Sequence, residues 1–425
     1  MSDYFIWTIG CQMNKAESER LAGCLDAAGY RKVSSPREAD LVVLNTCVVR
    51  QSAEDKVRGM LGQLKGLKRE RPDTRILVTG CFVDSDTEGL KKRFPYVDFF
   101  FKPGAYPDFI NWTEEQGIKS RQVSAVSFQL APSPCAFIPI IQGCNNFCSF
   151  CIVPYRRGRE VSRPLEEVAG EAKEMAEQGV REITLLGQNV DSYGHDLPGK
   201  PDLADLLYRL NGISGLLRIR FLTNHPKDVT PKLLKAVASL DRVCKYLELP
   251  LQSGDDDILR VMRRGYTAAQ YRELIRTVQE LLPGAALSTD VIVGFPGETG
   301  EQFEHTFSLL KEVRFDVIHI AAYSPRSGTI AAREYEDDVP PEVKKERLRK
   351  VEELHASIAG EINSGYVGKA VEVLVEGARK GKWYGRTGGN KLVFFPASQR
   401  ADPLASEVKV RIEKSSPWAL QGRYE

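Results

Sequence analysis

The chain has 425 residues, 42% of them hydrophobic, a formal charge of +2 and a pI near 8.0. That supports two or three domains with real cores, and the global charge is too weak to argue nucleic-acid binding by itself. Nine cysteines in a chain this long do not read as a disulfide scaffold, since the count is odd and no staples are needed; no apolar run approaches a membrane span and no charged-then-apolar signal opens the chain, so a cytoplasmic protein with metal-site cysteines is expected.

Residues 1–121 alternate strand and helix signals. Strands are expected at Tyr4–Ile9, Leu41–Asn45 and Arg75–Thr79, with helices over Lys15–Ala28, up to Lys65, and over Thr87–Phe94. Short apolar strands alternating with helices argue a doubly wound parallel sheet in an α/β domain. Cys11, Cys47 and Cys81 each fall just past a strand end. In a parallel sheet all strand C-termini lie on one edge, where ligands bind, so these three cysteines are expected to meet. The competing reading is three ordinary buried thiols, since free cysteine packs well.

Gln122–Ser133 reads as a linker. Residues 130–360 then give six further strand signals: Phe137–Ile141, Glu182–Leu186, Leu216–Phe221, Tyr246–Leu249, Leu287–Val293 and Val317–Ala321. Helical stretches fill the gaps, which predicts a partial (β/α)6 barrel with its site at the strand C-termini. A charged helix over Val343–Ile362 carries one apolar stripe of Leu348, Val351, Leu354 and Ile358. Residues 363–425 switch to short strands, Ala370–Val375, Trp383–Arg386, Lys391–Phe395 and Glu407–Ile412, and predict a small antiparallel β-barrel. This tail holds eleven Lys and Arg against six Asp and Glu, beside Trp383, Tyr384, Phe394 and Phe395. A basic, aromatic-bearing barrel suits an RNA-binding surface; a solvated barrel with core aromatics is the plainer alternative.

Cys144, Cys148 and Cys151 form C-x3-C-x2-C after the first barrel strand. A structural zinc site wants four closed ligands, whereas a four-iron cluster on three thiolates keeps one iron open. A zinc knuckle borrowing a distant ligand such as His225, or a non-catalytic iron–sulfur site, are the competing readings. Cys24, Cys135 and Cys244 have no partner motif.

The Cys144–Cys151 triplet resembles the hallmark of radical S-adenosylmethionine (SAM) enzymes. The likeness extends further: Thr8–Asn14, Asn45–Arg50, Val78–Cys81, Cys151–Arg163, Leu185–Val190, Leu249–Gly254, Asp290–Thr299 and the tail run Gly385–Phe395, which resembles a TRAM domain, are similar in order to motifs of the radical SAM methylthiotransferases. The wording of the first two motifs resembles the branch acting on N6-dimethylallyladenosine in tRNA. Sister branches act on N6-threonylcarbamoyladenosine or a ribosomal-protein aspartate, and a non-catalytic iron–sulfur RNA-binding protein is the reading from another class. The resemblance implies two 4Fe-4S clusters, an auxiliary one on Cys11, Cys47 and Cys81 and a radical-generating one on Cys144, Cys148 and Cys151. It implies two SAM molecules, one giving a methyl group to cluster-bound sulfur and one the radical that takes hydrogen from adenine C2. It further implies a tRNA substrate, a reducing donor such as flavodoxin or ferredoxin, and a monomer.

Among supporting residues, Gly187, Gln188, Asn189, Gln252, Ser253, Asp290, Gly294 and Glu298 follow or lie within barrel strands and are expected to bind SAM. Arg157 and Arg159 beside the radical triplet, and Arg386, Asn390 and Lys391 in the tail, are expected to meet RNA. Arg156 and Arg163 belong to the same basic run, which reads equally as a solvated face. Tyr155-Arg156 and Gly388-Gly389 depart from the family's wording.

Overall fold

The computed structural model describes residues 2–49, 51–84, 86–116, 133–397 and 402–425; apart from Ser133, the linker expected at Gln122–Ser133 lies outside them. Two compact units form, one of Met1–Ala131, Gln142–Asn145 and Cys151–Glu160, the other of Pro132–Ile141, Asn146–Phe150 and Val161–Glu425.

The first unit is built on strands β1 (Asp3–Thr8), β2 (Arg31–Lys32), β3 (Leu41–Thr46), β4 (Arg75–Gly80) and β5 (Phe99–Phe100), paired in parallel in the order β2-β1-β3-β4-β5. Helices α1 (Gln12–Ala27), α2 (Gln51–Glu70), α3 (Thr87–Arg93) and α4 (Tyr106–Glu115) cover both faces. Period-two alternation assigns the faces. Val42, Leu44, Ile76 and Val78 pack with Val57, Leu61 and Leu64 of α2 and Leu90 of α3. Leu41, Val43 and Leu77 pack with Leu21 and Leu25 of α1 and Phe109 and Trp112 of α4. Strand β3 is buried throughout, as a central strand covered on both sides must be. The strand order reverses at β1, so the crevice between β1 and β3 is the topological switch point where such sheets bind ligands.

In the second unit β6 (Cys135–Pro139) is followed by the short strands β7 (Ile141–Gln142) and β8 (Val161–Ser162). Then come β9 (Glu182–Leu186), β10 (Arg218–Phe221), β11 (Tyr246–Glu248), β12 (Ala286–Val293) and β13 (Val317–Ala322). Among the described residues β6, β9 and β10 form one parallel sheet and β11, β12 and β13 another. A parallel bridge from Ile219 to Val243 joins the two edges, which gives the expected six-stranded partial barrel. Capping boxes at Asp202, Thr267 and Thr299 start three of its outer helices. The helix Pro341–Ser364 leads into a closed barrel of β14 (Ala370–Arg379), β15 (Lys382–Arg386), β16 (Leu392–Pro396), β17 (Glu407–Ser415) and β18 (Leu420–Tyr424). Its interior is Val373, Val375, Val393, Phe395, Val408, Val410, Ile412 and Leu420. Strand β18, which closes it, is too short and polar to announce itself.

The small barrel is fastened to the N-terminal ends of the partial-barrel strands through the turn between β15 and β16. Arg218, the first residue of β10, binds Glu407 at 2.6 Å and the Arg386 carbonyl at 2.5 Å. Arg220 donates to the carbonyls of Gly388 (3.0 Å) and Thr387 (3.4 Å) while pairing with Glu182. Lys391 pairs with Asp316, just before β13, at 2.7 Å, and the Tyr246 hydroxyl bonds the Asn390 side chain. No helix among the described residues is long and apolar enough to cross a membrane.

Candidate cluster and cofactor sites

At the C-terminal edge of the five-stranded sheet, Cys11 follows β1, Cys47 directly follows β3 and Cys81 directly follows β4. Topology thus brings together three residues that are remote in sequence. A Cβ placed on Gly10 would lie 2.7 Å from the Cys47 Cβ, so only glycine lets the first loop approach the second this closely. Beneath the thiols lies a buried polar network. Asn14, fully buried, accepts from the Cys11 thiol at 3.3 Å and donates to Asn45 Oδ1 (2.8 Å) and the Thr46 carbonyl (2.9 Å). Asn45 donates in turn to the Asn14 carbonyl and Ser18. Burial, with Cys81 nearby, pushes the Cys47 thiol up to about 12. Burial also raises Cys81, against the opposing pull of Arg157. The three thiols influence one another electrostatically, and such thiols stay protonated until a metal displaces the proton.

Arg157 corrects the sequence-based expectation of an RNA contact. Its side chain is 2% exposed and forms a bidentate pair with Glu17, at 2.6 and 3.3 Å, while also hydrogen-bonding Cys81. The guanidinium that was expected to meet phosphate is committed to the thiol site. It sits at the end of α5 (Val153–Arg157), a helix that begins two residues after Cys151. Arg156 pairs with Asp84 at 2.7 Å, Arg163 with Glu167 and Glu171 at 2.6 Å each, and Arg159 is exposed, reaching Asn145 at 3.5 Å. The expected basic surface is therefore largely internal pairing. Charge patterning alone cannot tell a buried pair from a solvated face.

Cys144, Cys148 and Cys151 lie on the loop between β7 and α5. The Cys144 amide bonds the Gly158 carbonyl at 3.2 Å, and Glu160 ties down both the amide and the side chain of Asn145 at 3.1 Å. In the second unit the Ser149 amide bonds the Met262 carbonyl (3.0 Å) and its carbonyl accepts from Ala331 (2.7 Å). Arg264, buried, donates from Nη1 to Cys148 Sγ at 3.3 Å, and also to the Pro250 carbonyl (2.9 Å) and the Tyr266 hydroxyl (3.0 Å). Nothing in the sequence singled out Arg264 or Glu17, because each acts through tertiary neighbours; Asn14 closes the first cysteine motif, but its role in the buried network is visible only in the fold. Among the described residues no three His, Cys, Asp or Glu converge as ligands of a single metal ion. A four-iron cluster does not ask for that, since each thiolate holds a separate iron.

The residues expected to bind SAM fall at the C-terminal ends of the barrel strands. Asn189 is 1% exposed, with Nδ2 on Asp228 at 2.8 Å and a buried Oδ1 lacking a partner. Gln252, at φ +68°, likewise has a buried Oε1 without a partner. Asn224 Oδ1 and His225 Nε2, after β10, share this property. Buried polar atoms normally have partners, so the orphaned oxygens of Asn189, Gln252 and Asn224, and the His225 Nε2 whose ring accepts from the Lys227 amide at Nδ1, fit a polar ligand. Gly187 gives its carbonyl to Thr223 at 2.9 Å, beside Gln188. Asp290 lies on β12 and shares its neighbourhood with Glu248, whose carboxyl burial, then Asp290, raises to about 7. Ser253 is bound within the structure to Thr306 (3.3 Å), and Glu298 caps the Gly294 amide and pairs with Arg347, both at 2.6 Å. Ser253 thus serves its own loop, while Glu298 uses only Oε2 in these contacts and keeps a buried Oε1 without a partner.

Asn390 and Lys391 are placed at the docking turn, at the strand N-termini and so at the opposite end of the strands from these groups. Lys391 is buried on Asp316, which corrects its assignment to RNA. The Arg386 side chain is 40% exposed beside Glu376. The glycines that departed from the family wording fit the turn, since a Cβ on Gly389 would lie 3.3 Å from the Ala286 Cβ and Gly388 offers its carbonyl to Arg220.

Three family models match the chain: the Radical SAM superfamily over residues 138–310, Uncharacterized protein family UPF0004 over 3–102, and the TRAM domain over 365–424. The radical SAM methyltransferase TsrM from Kitasatospora setae is similar in fold, with a TM-score of 0.58 and 15% identity over 78% of this chain and 77% of that one. The cobalamin-dependent radical enzyme OxsB gives a TM-score of 0.53 and 12% identity over 82% and 56%; at such identities the likeness concerns the fold alone. The chain is therefore a radical SAM protein, of a superfamily that uses a 4Fe-4S cluster and SAM.

The particular family follows from closer relatives. A tRNA-2-methylthio-N(6)-dimethylallyladenosine synthase of Dehalococcoides mccartyi is 51% identical over 100% of this chain and 98% of its own length. Synthases of the same name from Chloroflexus aurantiacus and Clostridium botulinum are 47% and 44% identical, over 99% of this chain in each case and over 91% and 97% of their own lengths. The chain belongs to this family of radical SAM methylthiotransferases.

Proposed function

We propose that this chain adds a methylthio group to adenine C2 of N6-dimethylallyladenosine next to the anticodon of tRNA. The observation that carries this reading is full-length identity of 51% to a synthase named for that product. The sister substrates, threonylcarbamoyladenosine and a ribosomal-protein aspartate, have no comparable support. The reading assigns residues 1–121 to an auxiliary cluster on Cys11, Cys47 and Cys81, residues 130–360 to a radical cluster on Cys144, Cys148 and Cys151, and residues 363–425 to RNA binding. When bound, the groups supply a 5′-deoxyadenosyl radical at one triplet and a methylatable sulfur at the other.

The protein's own part is to hold, orient and shield. Arg157 keeps a cation on the thiol of Cys81, and Arg264 does the same for Cys148. The partnerless oxygens of Asn189, Gln252 and Glu298, with Gly187, Gln188 and Asp290, are assigned to SAM; Ser253 and Gly294 shape the loops that carry them. The enzyme is read as a cytoplasmic monomer drawing electrons from a flavodoxin- or ferredoxin-like donor. Nucleoside analysis of tRNA from a strain lacking the gene tests the assignment: dimethylallyladenosine without methylthio is expected to accumulate and to disappear on complementation. Intact methylthiolation in the deletion strain refutes it.

A further inference from the structure

The basic and aromatic residues of the tail divide into two groups, and only one faces outward. Phe395 is 1% exposed inside the barrel and Trp383 packs against that core. Lys391 and Asn390 are engaged at the docking turn. On the opposite pleat of the same strands, Lys382 and Tyr384 alternate along β15. The register sets Lys382 beside Arg379 of β14 and Tyr384 beside Phe394 of β16. Tyr384 and Phe394 are half-buried with ring centroids 6.3 Å apart. Tyr384 lies flat across β14 because the strand has glycine there: a Cβ on Gly377 would sit 2.8 Å from the tyrosine hydroxyl.

The tip of this hairpin carries the second observation. Lys380 and Gly381 form a two-residue loop with φ of +51° and +73°, the signature of a type I′ turn. Glycine or asparagine ordinarily fills its first position, and a lysine in the left-handed region is uncommon, though Lys200, Arg263 and Arg314 share it. Here it is lysine, flanked by Arg379 and Lys382. All three are exposed, and none has an ion-pair partner among the described residues, unlike Arg386 and Lys391.

We propose that the outer face of β14–β16 is the RNA-reading surface of this protein. Arg379, Lys380 and Lys382 neutralise phosphates and the Tyr384–Phe394 pair stacks an unpaired base, while the turn 387–391 serves only to fix the small barrel on the partial barrel. Cations beside paired, half-exposed aromatics suit single-stranded loop RNA more than a duplex or an acidic protein. The inference rests on the tRNA reading above and refines which surface it uses.

Binding of a fluorescently labelled anticodon stem-loop bearing dimethylallyladenosine, measured by anisotropy on the full-length holoenzyme across a salt series, tests it. In R379Q/K380Q/K382Q the slope of log affinity against log salt is expected to fall by about two to three, one for each lost phosphate contact. The charge-conserving R379K/K380R/K382R is expected to keep the wild-type slope. Tyr384→Leu is expected to weaken binding by about tenfold with the slope unchanged. A neutralised triple variant that melts like wild type and binds with wild-type affinity and slope overturns the proposal. Wild-type enzyme that binds no stem-loop at any salt overturns the tRNA reading itself.

Discussion

The two cysteine triplets are gathered by different means. Cys144, Cys148 and Cys151 are neighbours along one loop, whereas Cys11, Cys47 and Cys81 meet only because β1, β3 and β4 are adjacent and parallel. Each site also places a buried arginine on one thiol, but the electrostatics differ. Arg157 is already paired with Glu17, so that site is close to neutral before anything binds. The hydrogen bonds of Arg264 go to a thiol, a carbonyl and a hydroxyl, so an unneutralised cation waits beside Cys148. The loop site is primed for an anionic group, whereas the sheet site offers an arginine already neutralised by its carboxylate.

The largest expected effect separates the two roles. Cys148→Ala should abolish both 5′-deoxyadenosine release and methylthiolated product. Cys47→Ala should keep SAM cleavage, lose the product entirely, and retain about half the iron, as the proposed assignment of one four-iron cluster to each triplet requires. Iron analysis and product chromatography on the reconstituted enzyme check this, and methylthiolation by the Cys47 variant would remove the auxiliary cluster from the account.

The electrostatic contrast is broken next. Arg157→Met alone, or Glu17→Leu alone, leaves a buried charge without its partner and should destabilise by about 3–5 kcal/mol, whereas the double replacement should be near neutral. Denaturant unfolding of the metal-free protein measures all three. A single variant as stable as the double would mean that the pair is solvated.

Much of this was legible in the sequence. Period-two and period-3.6 patterns placed the strands that carry Cys11, Cys47 and Cys81, and the rule that parallel strands end on one edge brought the thiols together. The loop triplet needed no tertiary inference at all. What the sequence hid was the fate of its arginines. Arg157 and Arg159 sit two residues apart in one basic run, yet one is sealed against Glu17 and Cys81 and the other is exposed. Lys391 was hidden for the same reason, since its partner Asp316 lies 75 residues away in sequence. Burial of a charge depends on a remote partner, and spacing along the chain carries no trace of it.

Arg264 also lets the hydrogen bond to sulfur be separated from the charge. Arg264→Lys keeps the charge but cannot serve Cys148, Pro250 and Tyr266 together. Loss of a hydrogen bond to sulfur should move the radical cluster to a more negative midpoint potential, with a stability loss of about 1.5–3 kcal/mol. A redox titration followed by electron paramagnetic resonance reads the potential, and an unshifted midpoint would reduce Arg264 to a packing role.

The smallest effect sharpens the contrast from the other side, because the partial barrel also gathers like charges. Glu248 accepts from the Thr223 amide at 2.8 Å, and burial, then the Asp290 carboxylate, raises it from 4.5 to about 7. A carboxyl raised on folding holds its proton more tightly in the native state. Its contribution to stability is present below the unfolded value and is lost as pH rises through about 7. Glu248→Gln can still accept from Thr223 but cannot titrate. The variant should therefore gain on wild type between pH 5 and pH 8, by on the order of 1 kcal/mol given that Glu248 is only half-buried. Paired melting curves across that range check the sign, and a difference that stays flat with pH would show that Glu248 is charged throughout and that the barrel tolerates two adjacent carboxylates.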